Sequence, residues 1–327
     1  MAQGAIYLHS SWRAASTYVW AKFRQRPDAY CYFEPLNEHL ATATPEFIDS
    51  FRPWINAHHP KLDAPYLEEF RPLICPGGGV AGFPRHLTFG RYCAVDNAVL
   101  PELKSYLDML GRHADRFGRR PVYGCVRTDL RVGWFRANTA GTHIFIRRDP
   151  RRQFVSILNQ AKQGNSYFLL CGLVILAHNL DEPAFAPLFS VLDVPALMKS
   201  HGVRELAQRR FARDAPLREL YVIFYFMRLL ARQLGEARCD LAIDVDRLSL
   251  DSSYRHETEV RVDDLTGMAI SFADCQVERY EAQLRWSAAF FEELEREIET
   301  LLGAAMAPFA LPASGLTSAA CQTSISR

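Results

Sequence analysis

The sequence predicts an α/β protein built on a parallel, doubly wound sheet. Short apolar runs typical of buried strands recur at Ile6–Ser10, Tyr30–Phe33, Val122–Val126, His143–Arg147 and Leu241–Val245. Segments with helical periodicity separate these runs, as parallel strands require. Polar residues follow four of the strands, and open sheets of this class bind ligands beyond the carboxyl ends of their strands.

Composition narrows the functional classes. The 327 residues carry a formal net charge of only +1, which argues against general affinity for nucleic acid or anionic membranes. The eight cysteines lack CxxC spacing, so we expect reduced cysteines and no metal site. The chain enters its first strand directly, and its longest apolar run is too short to span a bilayer, which needs about 20 residues. We expect a cytoplasmic protein without a membrane span; its oligomeric state stays open.

The first strand, a short loop at Ser11–Ala15 and a helix at Ser16–Arg24 follow one another without interruption. This order brings free backbone N–H groups and the positive end of a helix dipole to one point. Such a point is an anion site, so the loop is predicted to hold a phosphate or sulfate group.

The loop reads WRAAST and lacks the GxxxxGK[ST] pattern of magnesium-dependent nucleotide loops. Arg13 stands where that pattern has lysine, and Ala14 and Ala15 are small enough for the backbone to approach a ligand. Ser16 and Thr17 open the helix. We expect Ser16 to cap it or to turn its hydroxyl towards the ligand.

A second strand, turn and helix follow in THIFIRRDPRRQFVSILNQAK, residues 142–162. Asp149 is placed to cap this helix and Pro150 to occupy its first position. An apolar stripe at helical spacing follows, formed by Phe154, Ile157, Leu158 and Ala161.

These two segments resemble the sulfotransferases. WRAASTY followed by YFEP is similar to the 5′-phosphosulfate loop of the Golgi carbohydrate type, approximately WRSGSSF followed by YEP. RDPR with a serine eight residues after its first arginine resembles the 3′-phosphate motif, onto which Arg148 and Ser156 match. Ala14 and Ala15 depart from the usual Ser-Gly, and no GxxGxWK element is found.

The resemblance implies a P-loop-like parallel sheet flanked by helices, with a helical insertion at about 163–235 that forms the acceptor pocket. It implies transfer of sulfuryl from 3′-phosphoadenosine 5′-phosphosulfate (PAPS) to a carbohydrate or glycolipid hydroxyl, without a metal, leaving 3′-phosphoadenosine 5′-phosphate (PAP). The missing anchor favours a soluble bacterial relative, with a catalytic domain at 1–303.

Glu34 matches the glutamate of the YEP element and is the predicted base, ionised at neutral pH. The alternative is an ion pair between Glu34 and Arg13. His9 is the second candidate base, against the alternative of a hydrogen-bonded histidine of the core.

The other residues near the predicted site also have alternative interpretations. For Arg148 and Ser156 the alternative to phosphate binding is a helix-capping salt bridge and an ordinary helical serine. Arg147 and Arg151 are expected on solvated faces, although either is close enough to clamp an acceptor. Trp12 and Arg127 are candidate adenosine contacts.

Periodicity and composition predict the secondary structure of the remaining segments. Helices are predicted at 45–54, 64–69, 100–117, 130–138 and 276–302, mainly helical and apolar structure at 166–234, a loop at 75–84 and a disordered tail at 304–327.

Two other functions stay open. One is a PAP-binding or scaffolding protein that has lost catalysis, which the altered loop favours. The other is a nucleotide kinase, which the absence of a loop lysine and the presence of the 3′-phosphate motif disfavour.

Overall fold

The computed structural model describes residues 4–52, 62–194, 196–197, 216–277 and 288–309. Its centre is a five-stranded sheet formed by β1 (Ala5–His9), β2 (Ala29–Phe33), β3 (Arg120–Cys125), β4 (Gly141–Arg147) and β5 (Leu241–Asp244). All strands are parallel, in the order β2-β3-β1-β4-β5. The predicted class is therefore confirmed.

Strand β1 lies in the middle of the sheet, between β3 and β4. Leu8 is opposite Gly124 on one side and Ile144 on the other. Ile6 and Leu8 have no exposed surface. Because helices cover both faces of a parallel sheet, the sequence of such a strand is continuously apolar and does not alternate between apolar and polar residues.

The described helices are α1 (Ser16–Arg24), α2 (Pro45–Ser50), α3 (Pro101–Asp115), α4 (Val132–Asn138), α5 (Pro150–Lys162), α6 (Tyr167–Ala177), α7 (Ala186–Phe189), α8 (Leu217–Arg238), α9 (Val245–Leu250), α10 (Ser252–Thr266), α11 (Ala288–Glu299) and α12 (Leu302–Met306). Short 3₁₀ helices occupy Glu38–Ala41, Glu68–Leu73, Arg85–Leu87, Pro183–Phe185 and Ala307–Phe309. No helix in the described ranges is long and apolar enough to cross a membrane.

The two helices next to the predicted anion site begin where the sequence places them. At α5, Asp149 is the cap and its Oδ1 accepts from the Arg152 amide at 2.9 Å. At α1 the predicted cap is wrong. Ala15 is the capping residue, in the left-handed conformation and without a side-chain hydrogen bond, and Ser16 is the first helical residue.

The helix predicted at 64–69 is wrong. The chain there forms a 3₁₀ helix at Glu68–Leu73, with Pro72 inside it. Its bonds span three residues, as in Phe70 N to Leu67 O. A segment between Pro65 and Pro72 is too short to propagate an α-helix, because each proline removes a donor.

Other boundaries differ from the predictions by a few residues. Helix α2 ends at Ser50, and Trp54 lies outside the described residues; α3 ends at Asp115 rather than 117. The polar segment after residue 251 forms α10, which the sequence analysis had left unassigned. The predicted helix at 276–302 is helical at Ala288–Glu299, and residues 278–287 lie outside the described part.

The predicted tail begins too early. Residues 302–309 are helical, and Ala305 and Phe309 are buried in a hydrophobic cluster with α6 and α8. Apolar contact with these helices orders a segment whose small residues and proline suggested disorder. Residues 310–327 lie outside the described part.

Two hydrophobic clusters hold these elements together. The first joins β1, β2 and β3 with α1 and α3, and the second gathers α5, α6, α8, α11 and α12 around Phe145 of β4. Gly235 of α8 packs so closely on Phe145 that a Cβ there would overlap the ring. Within the predicted helical insertion at about 163–235, the structure has helices α6, α7 and most of α8. Residues 198–215 of this insertion lie outside the described residues.

Candidate active site

A cleft of about 600 Å³ lies beyond the carboxyl ends of the strands. Four strands deliver residues to it: the β1–α1 loop follows β1, Glu34 follows β2, Arg127 follows β3 and Arg148 follows β4. Polar residues that follow these four strands therefore line one cavity.

The β1–α1 loop presents its backbone to the cleft. Arg13 and Ala15 have φ values of 64° and 60°, which L-residues rarely adopt. In the described part of the chain, the N–H groups of Ala14, Ala15, Ser16 and Thr17 donate to no acceptor outside α1. Alternating left-handed residues in front of a helix aim successive amides at one point, which is the geometry of an anion-binding nest.

Helix α5 is fastened to this loop by Gln153, whose Nε2 donates to Ser11 Oγ at 2.8 Å and to the carbonyl of Trp12. One turn further along the helix, Ser156 Oγ accepts from Arg13 Nε at 3.1 Å. Gln153 and Ser156 are both buried. The two segments singled out in the sequence are thus in direct contact.

Arg148 joins the same group. Its Nη1 lies 3.5 Å from the carbonyl oxygen of Arg13, and only 5% of its side chain is exposed. Arg148 also has an anionic partner, because its Nε lies 3.7 Å from Asp246 Oδ1. Asp246 also accepts from the Asp149 amide at 2.8 Å, which ties it to the start of α5.

Glu34 lines the cleft at the end of β2. Its Oε2 accepts from Arg127 Nη1 at 2.6 Å and from Asn37 Nδ2 at 2.9 Å. The sequence predicts an ion pair with Arg13 as the alternative to a base, whereas the salt bridge of Glu34 is with Arg127.

Arg127 also contacts a second carboxylate. Its Nη2 lies 2.6 Å from Glu38 Oε2 and 3.0 Å from the Tyr167 hydroxyl, and that hydroxyl donates to Glu38 Oε1 at 2.6 Å. Burial acts to raise the pKa of Glu38, but the charge of Arg127 prevails and lowers it. Burial raises the pKa of Tyr167, which keeps the phenol protonated. Trp12 stacks 5.3 Å from the Arg127 guanidinium.

His9 is not brought into the cleft. It is fully buried, with Nδ1 2.7 Å from Thr128 Oγ1 and Nε2 3.1 Å from His143 Nδ1. Burial, followed by the neighbouring His143, holds the pKa of His9 well below its usual range. The geometry is that of a hydrogen-bonded core histidine, which the sequence analysis had offered as the alternative to a base.

Arg147 and Arg151 also lie elsewhere. Arg147 Nη2 is 3.3 Å from Asp244 Oδ2, beside a neighbouring cavity. Arg151 makes a two-pronged pair with Glu295 of α11 at 2.8 Å. Neither lines the cleft.

The rest of the cleft wall is largely aromatic. Phe47 and Phe51 lie 5.5 Å apart by ring centroids, beside His39. Phe168 also lines the cleft, and its ring centroid lies 5.8 Å from the Arg13 guanidinium. Of the described residues in the predicted helical insertion, Tyr167 and Phe168 are the two that reach the cavity.

Several residues of the site escaped the sequence analysis. Glu38 follows Glu34 by four positions, and two carboxylates so close in the sequence were a usable signal. Tyr167 and Asp246 reach the site only through the tertiary fold, and nothing in the local sequence marks them.

No protein-family model, curated protein or solved structure significantly matches this chain.

Proposed function

We propose that the protein is a PAPS-dependent sulfotransferase that acts on an acceptor hydroxyl. The observation that carries the proposal is the contact of Arg13, Arg148 and Ser156 in a cleft that the Glu34 carboxylate also lines. The two arginines suit the two anionic groups of the donor, and the carboxylate suits removal of a proton.

The chain's residues fit such a donor. The free amides and left-handed residues of the β1–α1 loop suit the 5′-phosphosulfate, and Arg13 and the helix dipole would offset negative charge that develops on the departing phosphate. Arg148 and Ser156 suit the 3′-phosphate, since a buried guanidinium binds phosphate strongly. PAPS supplies the sulfuryl group.

Glu34 is the proposed base. It takes the proton of the acceptor hydroxyl while that oxygen bonds to sulfur and the bond from sulfur to the 5′-phosphate oxygen breaks. The products are the sulfate ester, PAP and a proton that Glu34 later returns to water. The aromatic wall at Phe47, Phe51 and Phe168 suits the apolar face of a sugar ring or glycolipid, which remains the proposed acceptor class.

Thermal unfolding with PAP, with AMP and with ATP plus magnesium tests the donor site. At about 100 times the dissociation constant, PAP should stabilise the fold by roughly 2.7 kcal/mol. Arg148→Ala should abolish this shift, whereas Arg147→Ala, at the adjacent residue outside the cleft, should keep it. A shift with ATP and magnesium but none with PAP would instead favour a kinase.

A PAP-binding protein without catalysis is the second candidate, because the structure holds Glu34 through two hydrogen bonds. Transfer of radioactive sulfate from PAPS to a panel of sugars and aryl alcohols separates the two. Thermal stabilisation by PAP without any transfer of sulfate from PAPS would favour a PAP-binding protein without catalysis.

A further inference from the structure

Arg127 is shared by two carboxylates at the cleft. Its side chain is 2% exposed, and its two terminal nitrogens point to different partners, Nη1 to Glu34 and Nη2 to Glu38. One guanidinium and two carboxylates leave one negative charge in excess. Since the group is largely out of water, that charge acts strongly on its members.

Glu34 is fixed in place by its backbone as well as by Arg127. Its φ of 43° is unusual for a glutamate, and its amide extends the sheet by donating to the Gly124 carbonyl at 3.1 Å. Both hydrogen bonds to its carboxylate end on Oε2. Oε1 therefore has no hydrogen-bond partner among the described residues and is the oxygen available to take a proton.

Glu38 differs from Glu34 in this respect. Arg127 occupies its Oε2 and the Tyr167 hydroxyl occupies its Oε1, both at 2.6 Å. A carboxylate with both oxygens engaged is a poor base, but it is a well-placed counter-charge for Arg127.

We propose that Glu38, held by Tyr167, is a positioning residue that shares Arg127 so that this arginine orients Glu34 without neutralising it. This role rests on the proposed sulfotransferase function. Without the charge of Glu38, Arg127 would act on Glu34 alone and make it a weaker base.

The other charged and titratable groups around Glu34 do not provide this charge. Besides Arg127 and Tyr167, those lining the cleft are Arg13, Arg148, His39, Arg52, Tyr18 and Cys275. Burial raises the pKa of Tyr18 and of Cys275, so both are uncharged at neutral pH. Arg13 and Arg148 are cations on the donor side, and His39 follows Glu38 in its 3₁₀ helix. The Arg52 guanidinium donates to the carbonyls of Asp49 and Phe51. Glu38 is thus the second carboxylate that lines the cleft in the described part of the chain.

Titration of Glu34 in protein labelled with ¹³C at the glutamate carboxyls tests the proposal, with Glu34→Gln identifying the resonance. Glu38→Gln removes the charge but keeps the shape, and should move the Glu34 titration midpoint down by about one pH unit. The acid limb of the pH profile for sulfate transfer should move in the same direction, and kcat should fall. Glu38→Asp, which keeps the charge, should restore most of the wild-type midpoint.

Glu46→Gln is the matched control, because it removes an exposed carboxylate from α2. Its Glu34 midpoint should equal that of the wild type. Glu38→Ala is a second variant, and its midpoint should move as in Glu38→Gln. An unmoved or raised midpoint in Glu38→Gln or in Glu38→Ala overturns the proposal. Thermal stabilisation of the wild-type protein by PAP is measured in parallel. If PAP does not stabilise it, the proposed sulfotransferase function is refuted, and the proposed role of Glu38 with it.

Discussion

Ala15 is a residue in an unfavourable backbone conformation at the centre of the proposed donor site. Its φ of 60° and ψ of 21° lie in the left-handed region, where Cβ crowds the backbone. Glycine would suit this turn into α1 better, because it has no Cβ to crowd the backbone.

We expect Ala15→Gly to stabilise the protein by about 1 kcal/mol, because the strain of a left-handed alanine is removed. Urea unfolding followed by circular dichroism measures the change. Ala14→Gly is the matched control. Ala14 is buried without a positive φ, so glycine there should lower stability. Equal effects at both positions would contradict the strain at Ala15.

The site was predictable at the residue scale only where its chemistry is local. Arg13, Arg148 and Ser156 stand next to a strand end or on a helix that the sequence itself delimits. The pairing of Glu34 with Arg127 is set by strand order, since β2 and β3 are neighbours although Glu34 and Arg127 are 93 positions apart in the sequence. Periodicity does not carry that information.

At the scale of elements, β1 and β4 are joined by a buried histidine pair as well as by the backbone ladder. Thr128 Oγ1 donates to the Cys125 carbonyl at 3.1 Å, so it accepts from His9 Nδ1. Because burial lowers the pKa of both histidines, His9 is neutral, its Nε2 is an acceptor and His143 Nδ1 donates to it. A proton added to His9 would face the N–H of His143.

This pair predicts an acid-sensitive fold. Burial, with Arg136 as the second cause, lowers the pKa of His143 to about 4, and the pKa of His9 is also lowered. The unfolded chain binds these protons near pH 6.5, so stability is complete above that pH and is lost as pH falls towards 4. Each imidazole should contribute a slope of about 1 kcal/mol per pH unit between pH 6 and 5.

The slope of unfolding free energy against pH checks this. His143→Asn keeps a short polar group in place and should remove about half of the slope that the two histidines contribute. His256→Asn removes an exposed imidazole from α10 as a control. A slope that is the same in all three proteins would show that the pair does not titrate on unfolding.

Elements were predicted well where a cap or an apolar stripe defines them, as at Asp149 and along α5. Prediction failed between Pro65 and Pro72, because residue propensity does not distinguish an α-helix from a 3₁₀ turn in so short a segment. The prediction of a disordered tail from residue 304 was wrong for a different reason. Small residues specify little locally, and α12 is ordered by what it packs against.

At the scale of the whole molecule, the C-terminal residues 302–309 complete the second hydrophobic cluster. Phe309 is 5% exposed, and its carbonyl accepts from Arg238 Nη2 at 3.0 Å, which links it to the end of α8. Helix α8 in turn packs on β4 through Gly235 and Phe145. The segment thus supports the strand that delivers Arg148 to the cleft.

We expect Phe309→Ala to lower the free energy of unfolding by about 3 kcal/mol, since it leaves a cavity in this cluster. Chemical denaturation of the full chain measures the loss. Phe117→Ala is the matched control, because Phe117 is 55% exposed and its removal should cost much less. If the two variants unfold at the same denaturant concentration, residues 304–309 add little to the fold, and a domain ending at residue 303, as the sequence suggested, would be the better description. A larger loss of unfolding free energy in Phe309→Ala than in Phe117→Ala would show that the folded unit extends at least to residue 309.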